Sequence, residues 1–296
     1  MIDRETSKHY NFSNILSVRK TINCRGTIVD IETPQVMGII NVTPDSFYPG
    51  SRYESDKEVL NRVSQIVEEG GSMVDIGAYS SRPNAVHISE EEEISRLLPI
   101  LKTIRENYPS LIISVDTFRS NVAIASVEEG GADIINDISG GDLDDNMFDT
   151  IARLNVPYIL MHMQGTPQNM QNNPKYDDII ADVSLVLAKK VDVLRSKGVN
   201  DIIVDPGFGF GKTLDDNYEL YSKIDEFRLF ELPILVGVSR KSMIYNFLGI
   251  TADEALNGTT VLNTIALQKG ANILRVHDVK EAVEIVKIVD KLNSFL

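Results

Sequence analysis

Short apolar runs rich in β-branched residues recur along the chain at 36–40, 73–76, 111–115, 133–135, 158–161, 201–204, 234–238 and 272–276. They are nearly continuously apolar rather than alternating, which predicts strands covered on both faces, as in a parallel sheet. Charge-rich segments separate them. Their apolar residues recur at spacings of three and four, clearest over 59–67, 91–104, 179–194 and 279–292, and predict amphipathic helices. Gly70-Gly71, Gly130-Gly131, Gly198 and Gly270 each follow a helical pattern and precede a strand, where a left-handed C-cap belongs. Eight such units predict an α/β fold, a (β/α)8 TIM barrel. A doubly wound open sheet shows the same alternation, and strand count alone leaves it open. Residues 1–35 stand outside the repeat as an N-terminal extension, with a hairpin strand over 23–31 expected to cap the bottom of the barrel. No Pro- or Ser-rich linker interrupts 36–296, so that stretch reads as a single domain.

Composition narrows the function. With 29 Lys and Arg against 43 Asp and Glu, the 296-residue chain carries a net charge of −14, and its cations form no dense run. Nucleic-acid binding needs a basic face, so that class is excluded. No apolar stretch approaches the ~18 residues of a spanning helix, and the first ten residues have no signal-peptide core. Cys24 is the single cysteine, which rules out an internal disulfide framework and a Cys-based zinc site and fits a reducing, cytoplasmic compartment. Four scattered histidines (His9, His87, His162 and His277) form no local zinc motif.

The chemistry of a barrel sits at the C-terminal ends of its strands. In order, the ends here offer Asn41, Asp75, Asp116, Asn136-Asp137, His162, Asp205, Ser239-Arg240-Lys241 and Arg275-Val276-His277. One polar strand end is a plain helix cap. A full set implies a pocket, acidic along the middle strands and cationic at the last two. In a chain of this net charge, the local cations suggest an anionic ligand.

Two nucleotide readings fail. Pro206-Gly-Phe-Gly-Phe-Gly-Lys-Thr213 lacks the first glycine of a P-loop, and its GxGxG spacing misses the dinucleotide fingerprint. This loop instead lets backbone and phenyl rings approach a flat ligand closely. Asn41–Gly50 and Gly77–Asn84 are long for loops that follow barrel strands. They read either as solvated turns or as a pair of lids, the second carrying Arg82.

The segments Met37-Gly-Ile-Ile-Asn-Val-Thr-Pro-Asp-Ser-Phe47, Asp205-Pro-Gly-Phe-Gly-Phe-Gly-Lys212, Ser239-Arg-Lys-Ser242 and Arg275-Val-His277 together resemble the dihydropteroate synthases. The ordered set, over about residues 36–290, is specific where each piece is not. The resemblance implies a TIM barrel that joins 6-hydroxymethyl-7,8-dihydropterin pyrophosphate to 4-aminobenzoate, releasing pyrophosphate, and that sulfonamide mimics of aminobenzoate target. It implies pterin contacts from Asp116, Asn136, Asp205 and Lys241, whose side chains suit the donors and acceptor along one edge of the ring, with Phe210 and Met161 beside them. Arg275 and His277 lie two apart on one strand and share a side. With Asn41 and Ser81 they are the implied pyrophosphate group. Asn41 would also meet Mg2+, an ion that otherwise takes phosphate oxygens and water. Phe47, Pro83, Arg82 and Ser242 are implied for aminobenzoate, Ser242 offering a helix start to its carboxylate. Asp116, Lys241, Arg82 and Asp45 are the implied catalytic group, and His162 is expected to be a neutral residue near the pterin floor. A dissociative mechanism needs no protein nucleophile, which suits a sequence without a Ser–His–Asp or Cys–His order.

The second loop departs from the family pattern Gly-Glu-Ser-Thr-Arg-Pro-Gly, reading Ala78-Tyr79-Ser80-Ser81-Arg82-Pro83-Asn84. A pterin-binding methyltransferase would share the barrel and the pterin contacts but has no use for the diphosphate residues. A non-catalytic pterin binder should have lost Arg82, Lys241 or Arg275, and all are present. Length leaves no room for a fused pyrophosphokinase. The family implies a homodimer, with the outer faces of residues 253–268 and 279–292 as the expected interface.

Overall fold

A computed structural model describes residues 21–42, 52–79, 87–170 and 174–295. Strands β1 (Thr21–Cys24) and β2 (Thr27–Asp30) form an antiparallel hairpin. Its two-residue turn, Arg25-Gly26, has positive φ at both positions (51° and 87°), the geometry that matches the twist of a tight hairpin. The predicted single strand over 23–31 is thus the turn and second arm of this hairpin.

The strands that follow are β3 (Gln35–Asn41), β4 (Met73–Gly77), β5 (Ile112–Asp116), β6 (Ile134–Asp137), β7 (Tyr158–Met161), β8 (Ile202–Asp205), β9 (Leu235–Val236) and β10 (Ile273–Val276). They pair in parallel in the order β8-β7-β6-β5-β4-β3-β10-β9. A parallel bridge between Val204 and Ile234 joins the two ends and makes the sheet a barrel. The open-sheet alternative is thereby excluded. β9 is shorter than the predicted 234–238 run, because the chain turns over Ser239-Arg240, with the Lys241 N–H bonded to the Val238 carbonyl at 3.1 Å.

Helices α1 (Arg52–Glu68), α2 (Glu90–Asn107), α3 (Ser120–Glu128), α4 (Met147–Leu154), α5 (Ile179–Ser196), α6 (Leu214–Ser222), α7 (Ser242–Leu248), α8 (Leu256–Gln268) and α9 (Val279–Asn293) lie between and after the strands. Their starts follow local chemistry. Ser89 Oγ accepts from the Glu92 N–H at 3.2 Å, and four glutamates occupy the first turn of α2, where the helix dipole favours anions. Thr213 and Asp216 form a reciprocal capping box on α6.

Two cores result from the period of two along each strand. Outward residues such as Val74, Val115, Leu160 and Val204 pack with the helices in the larger core. Inward residues at the strand starts, including Met37, Met73, Ile134, Ile159, Ile203, Leu235 and Ile273, form a second cluster with Ile22, Cys24 and Ile31. The hairpin therefore plugs the N-terminal end of the barrel. The opposite end is left for polar groups.

Candidate active site

The bottom layer sets what faces inward above it. Two residues beyond Met73, Ile112, Ile134, Ile203 and Ile273 come Asp75, Ser114, Asn136, Asp205 and Arg275. Two residues further lie Asp116 on β5, Ser239 after β9 and His277 after β10. Asp137 falls out of step with Asn136. It faces the helices, where its carboxylate accepts from the Tyr158 hydroxyl, the Ser139 N–H and hydroxyl, and the Gly141 N–H.

Arg275 and Asp75 form the centre of the pocket. Asp75 is fully buried, and its Oδ2 accepts from Arg275 Nε at 2.6 Å and from Asn136 Nδ2 at 3.0 Å. Arg275 Nη2 donates to Asp116 Oδ2 at 3.2 Å. Four side chains from β4, β5, β6 and β10 are thus joined. Burial first, and then the nearby Asp75 charge, push the Asp116 carboxyl up to about 7, against the pull of Arg275. Burial works against the Arg275 charge, but Asp75 and Asp116 outweigh it and raise its pKa.

The second half of the pocket is built by β8 and the loop that follows it. Asp205 is buried and accepts the Gly207 N–H at 2.7 Å. Burial raises its pKa, while Lys241 pulls the other way. Lys241 Nζ donates to the Phe208 carbonyl at 2.5 Å and stands 4.7 Å over the Phe210 ring. Burial lowers the Lys241 ammonium to about 8, with Asp205 opposing. Gly207 has a φ of 74°, and its α-carbon lies so close to the His162 carbonyl that any side chain would collide with it.

Lys212, which ends the failed P-loop pattern, is a structural group. Its buried ammonium donates to the carbonyls of Gly207 at 2.8 Å and Phe210 at 3.1 Å, and stands 3.1 Å from His162 Nδ1. Burial lowers it to about 7. Burial and then Lys212 lower His162 to about 2, so the imidazole is neutral, as expected from the sequence.

An apolar wall completes the pocket. Met161, Met163, Met170, Phe118 and Ile138 cluster there with the half-buried Phe210 and Tyr79. Tyr79 packs edge-on to Phe118 at 5.0 Å between centroids. Its hydroxyl lies 3.2 Å from His87 Nδ1 and accepts from Gln168 Nε2 at 3.1 Å. Beneath it, Arg119 pairs with the buried Glu93 at 2.6 Å.

Several sequence-assigned residues lie at the mouth. Asn41 is exposed at the end of β3, and Ser242 is the exposed first residue of α7. His277 is also exposed, with Nδ1 at 3.2 Å from Ser239 Oγ. Arg240 turns away from the pocket to bind both oxygens of Asp278, so Lys241 alone of that pair serves the site. Asp45, Phe47, Ser81, Arg82 and Pro83 lie outside the described residues.

The sequence reading placed Asp75 among the polar strand ends but gave it no role of its own, yet it is the carboxylate that ties Arg275 to Asn136. Its signal was present, as the one charge in an otherwise apolar run, two residues past an inward methionine. Acceptors and donors converge here on a space walled by Met and Phe, the set a flat, edge-polar heterocycle requires.

The family model for pterin binding enzymes matches residues 37–277, from β3 to the end of β10. The chain is 41% identical to the dihydropteroate synthase of Escherichia coli (strain K12) over 272 residues, 91% of this chain and 95% of that one. It belongs to the dihydropteroate synthase family. The fold agrees. A Yersinia pestis dihydropteroate synthase with a sulfonamide drug matches with a TM-score of 0.86 at 38% identity, over 93% of this chain and 100% of that chain. Xanthomonas albilineans dihydropteroate synthase with 4-aminobenzoic acid matches with a TM-score of 0.86 at 34% identity, over 93% and 98%. Asp116, Asn136, Asp205, Lys241 and Arg275, the residues the synthase resemblance singled out, lie together at one end of the barrel.

Proposed function

We infer that the protein condenses 6-hydroxymethyl-7,8-dihydropterin pyrophosphate with 4-aminobenzoate, giving 7,8-dihydropteroate and pyrophosphate. The observation that carries this is the convergence of Asp75, Asn136, Asp116 and Arg275 at the end of the barrel that also holds Asp205 and Lys241, in a barrel of this family. The Asn136 amide nitrogen is occupied by Asp75, so its oxygen is left as an acceptor for a ring amine. Asp205 accepts from the ring N–H groups, and Lys241 donates on the ring carbonyl side. Met161 and Phe210 supply the flat apolar contacts.

The reaction is a substitution at the exocyclic methylene. The C–O bond to diphosphate breaks with both electrons leaving on oxygen. The electron-rich dihydropterin delocalises the positive charge. The aminobenzoate nitrogen then forms the C–N bond and loses one proton. Asp116, as a carboxylate, stabilises the cation across the pocket. Arg275 uses Nε and Nη2 on carboxylates, which leaves Nη1 for the diphosphate, with His277 beside it at the mouth.

Mg2+ fits this site as an ion carried largely by the diphosphate. Asn41 offers an exposed amide oxygen, and among the described residues no three His, Cys, Asp or Glu side chains gather to hold a metal. Bound there, the ion would neutralise charge on the leaving group. Ser81 would assist at the diphosphate. Phe47, Pro83, Arg82 and Ser242 would receive the aminobenzoate, and Asp45 and Arg82 would join Asp116 and Lys241 as catalytic groups.

A homodimer accompanies this reading. Phe247, Leu248, Val261, Ile288 and Leu292 are large apolar side chains left exposed on α7, α8 and α9, and a second copy covering them would remove that surface from water. No helix among the described residues is long and apolar enough to cross a membrane. A cytoplasmic location suits Cys24, a buried thiol pushed up to about 12 by burial and then by Asp133.

Calorimetric titration tests the pocket. Dihydropterin pyrophosphate should bind the native chain and fail to bind Asp205→Ala at matched thermal stability. An unaltered affinity in that variant would remove Asp205 from the pocket and the reading with it.

A further inference from the structure

We propose that Asp75 is the positioning residue of this site: one oxygen fixes Arg275 and Asn136 together, and the other, with Ser114 Oγ, holds a buried water. The proposal rests on the pocket being the synthase site described above.

Asp75 lies on β4, two strands from Arg275 on one side and two strands from Asn136 on the other. Its Oδ2 receives both, at 2.6 and 3.0 Å, so a single atom spans five neighbouring strands. Both partners are directional. Fixing Arg275 at Nε orients the guanidinium plane and leaves Nη1 free of the carboxylate. Holding Asn136 by its nitrogen sets which way the amide faces and turns its oxygen to the ligand. Asp75 is thereby placed to decide affinity at the pterin edge and at the diphosphate at once, although it is fully buried beneath them.

Its second oxygen tells the rest. Asp75 Oδ1 is buried and has no hydrogen-bond partner, and neither has the buried Ser114 Oγ. Asp75 and Ser114 are direct register partners on β4 and β5, so their side chains leave the sheet on the same, inward face. An orphaned carboxylate oxygen beside an orphaned hydroxyl is rare in a folded interior. A water molecule answers both, donating to the carboxylate and exchanging a hydrogen bond with the hydroxyl. The carboxylate is then satisfied on both oxygens, with Oδ2 still holding Arg275.

The charge of Asp75 also acts on its neighbour. The charges that act on Asp116 include Asp75, Arg275 and Lys241 within the pocket and Glu93 and Asp137 outside it, and Asp75 is the largest charged contributor to its raised pKa. Replacing Asp75 by its neutral isostere therefore moves the Asp116 titration downward, which a purely structural role would not do.

Asp75→Asn and Ser114→Ala provide the test, with the native protein measured alongside. In Asp75→Asn, affinities for both the dihydropterin and pyrophosphate should fall at least tenfold, and the inflection of the pH–rate profile near 7 should move to lower pH. Ser114→Ala should stay folded with a smaller loss in the same two affinities. A high-resolution crystal structure of the native chain should show water density within hydrogen-bond distance of Asp75 Oδ1 and Ser114 Oγ. Unchanged affinities and an unmoved pH profile in Asp75→Asn overturn the positioning role. A direct Ser114–Asp75 hydrogen bond with no water overturns the hydration site. Failure of the native protein to bind dihydropterin would instead overturn the functional reading, so the two failures are distinct.

Discussion

Lys212 Nζ and His162 Nδ1 stand 3.1 Å apart in the floor of the pocket, both buried. An ammonium can only donate, so the imidazole accepts at Nδ1 and carries its proton on Nε2. Acid must break this arrangement. His162 is held to about 2 by burial and then by Lys212, against an ordinary value of 6.5. Between those values the unfolded chain binds a proton that the folded chain does not, so this group makes stability fall as pH falls below about 6.5. Denaturant titrations at a series of pH values should show a slope of about 1.4 kcal/mol per unit from this one group, absent in His162→Gln. Equal acid sensitivity of the two proteins would count against the neutral assignment.

Asp116 makes a prediction of the opposite kind. Its carboxyl is raised to about 7, so it gains its charge as pH rises through neutrality. A charge that stabilises a cationic transition state should make kcat rise through the same range. Asp116→Asn should lose on the order of a hundredfold in kcat and show no inflection near 7. A native profile that falls through neutrality would contradict the electrostatic role.

For Arg275 the two contacts to carboxylates matter as much as the ligand. Arg275→Ala leaves Asp75 and Asp116 facing each other without a cation, which costs about 3–5 kcal/mol in a buried site. Arg275→Lys keeps a charge but loses the planar fork. It should fold, retain most of its affinity for free pterin, and weaken pyrophosphate binding about tenfold or more. Equal loss of both ligands in the lysine variant would refute a diphosphate role.

The hairpin plug should be energetically separate from the site. Ile22 is buried at the opposite end from Asp75 and packs with Met37, Met73 and Ile203. Ile22→Ala should cost about 2–5 kcal/mol by thermal or chemical denaturation while leaving the dihydropterin dissociation constant within twofold. A large change in that constant would show that the two ends of the barrel are coupled.

Much of this was legible in the sequence because a parallel barrel writes its strands as apolar runs and puts its chemistry just past them. Asp116, Asn136 and Asp205 stood out for that reason, and Arg275 as a cation near the end of the last run. β9 was overread, since Val238 continues the apolar run after the chain has begun to turn. Asp75 was one of the polar strand ends but went without a role of its own, because only the inward register shared with Met73 and Ser114 shows where it points. Lys212 was noticed for a phosphate motif it does not complete. Its task, binding the carbonyls of its own loop, is set by a fold that brings Gly207 and His162 together.

The central claim is the condensation itself, and turnover tests it most directly. Native protein is mixed with dihydropterin pyrophosphate, 4-aminobenzoate and Mg2+, and dihydropteroate and pyrophosphate are followed in the same reaction. The account predicts both products in equal amounts, and no dihydropteroate when 4-aminobenzoate is left out. Tight binding of the pterin with neither product formed would contradict it.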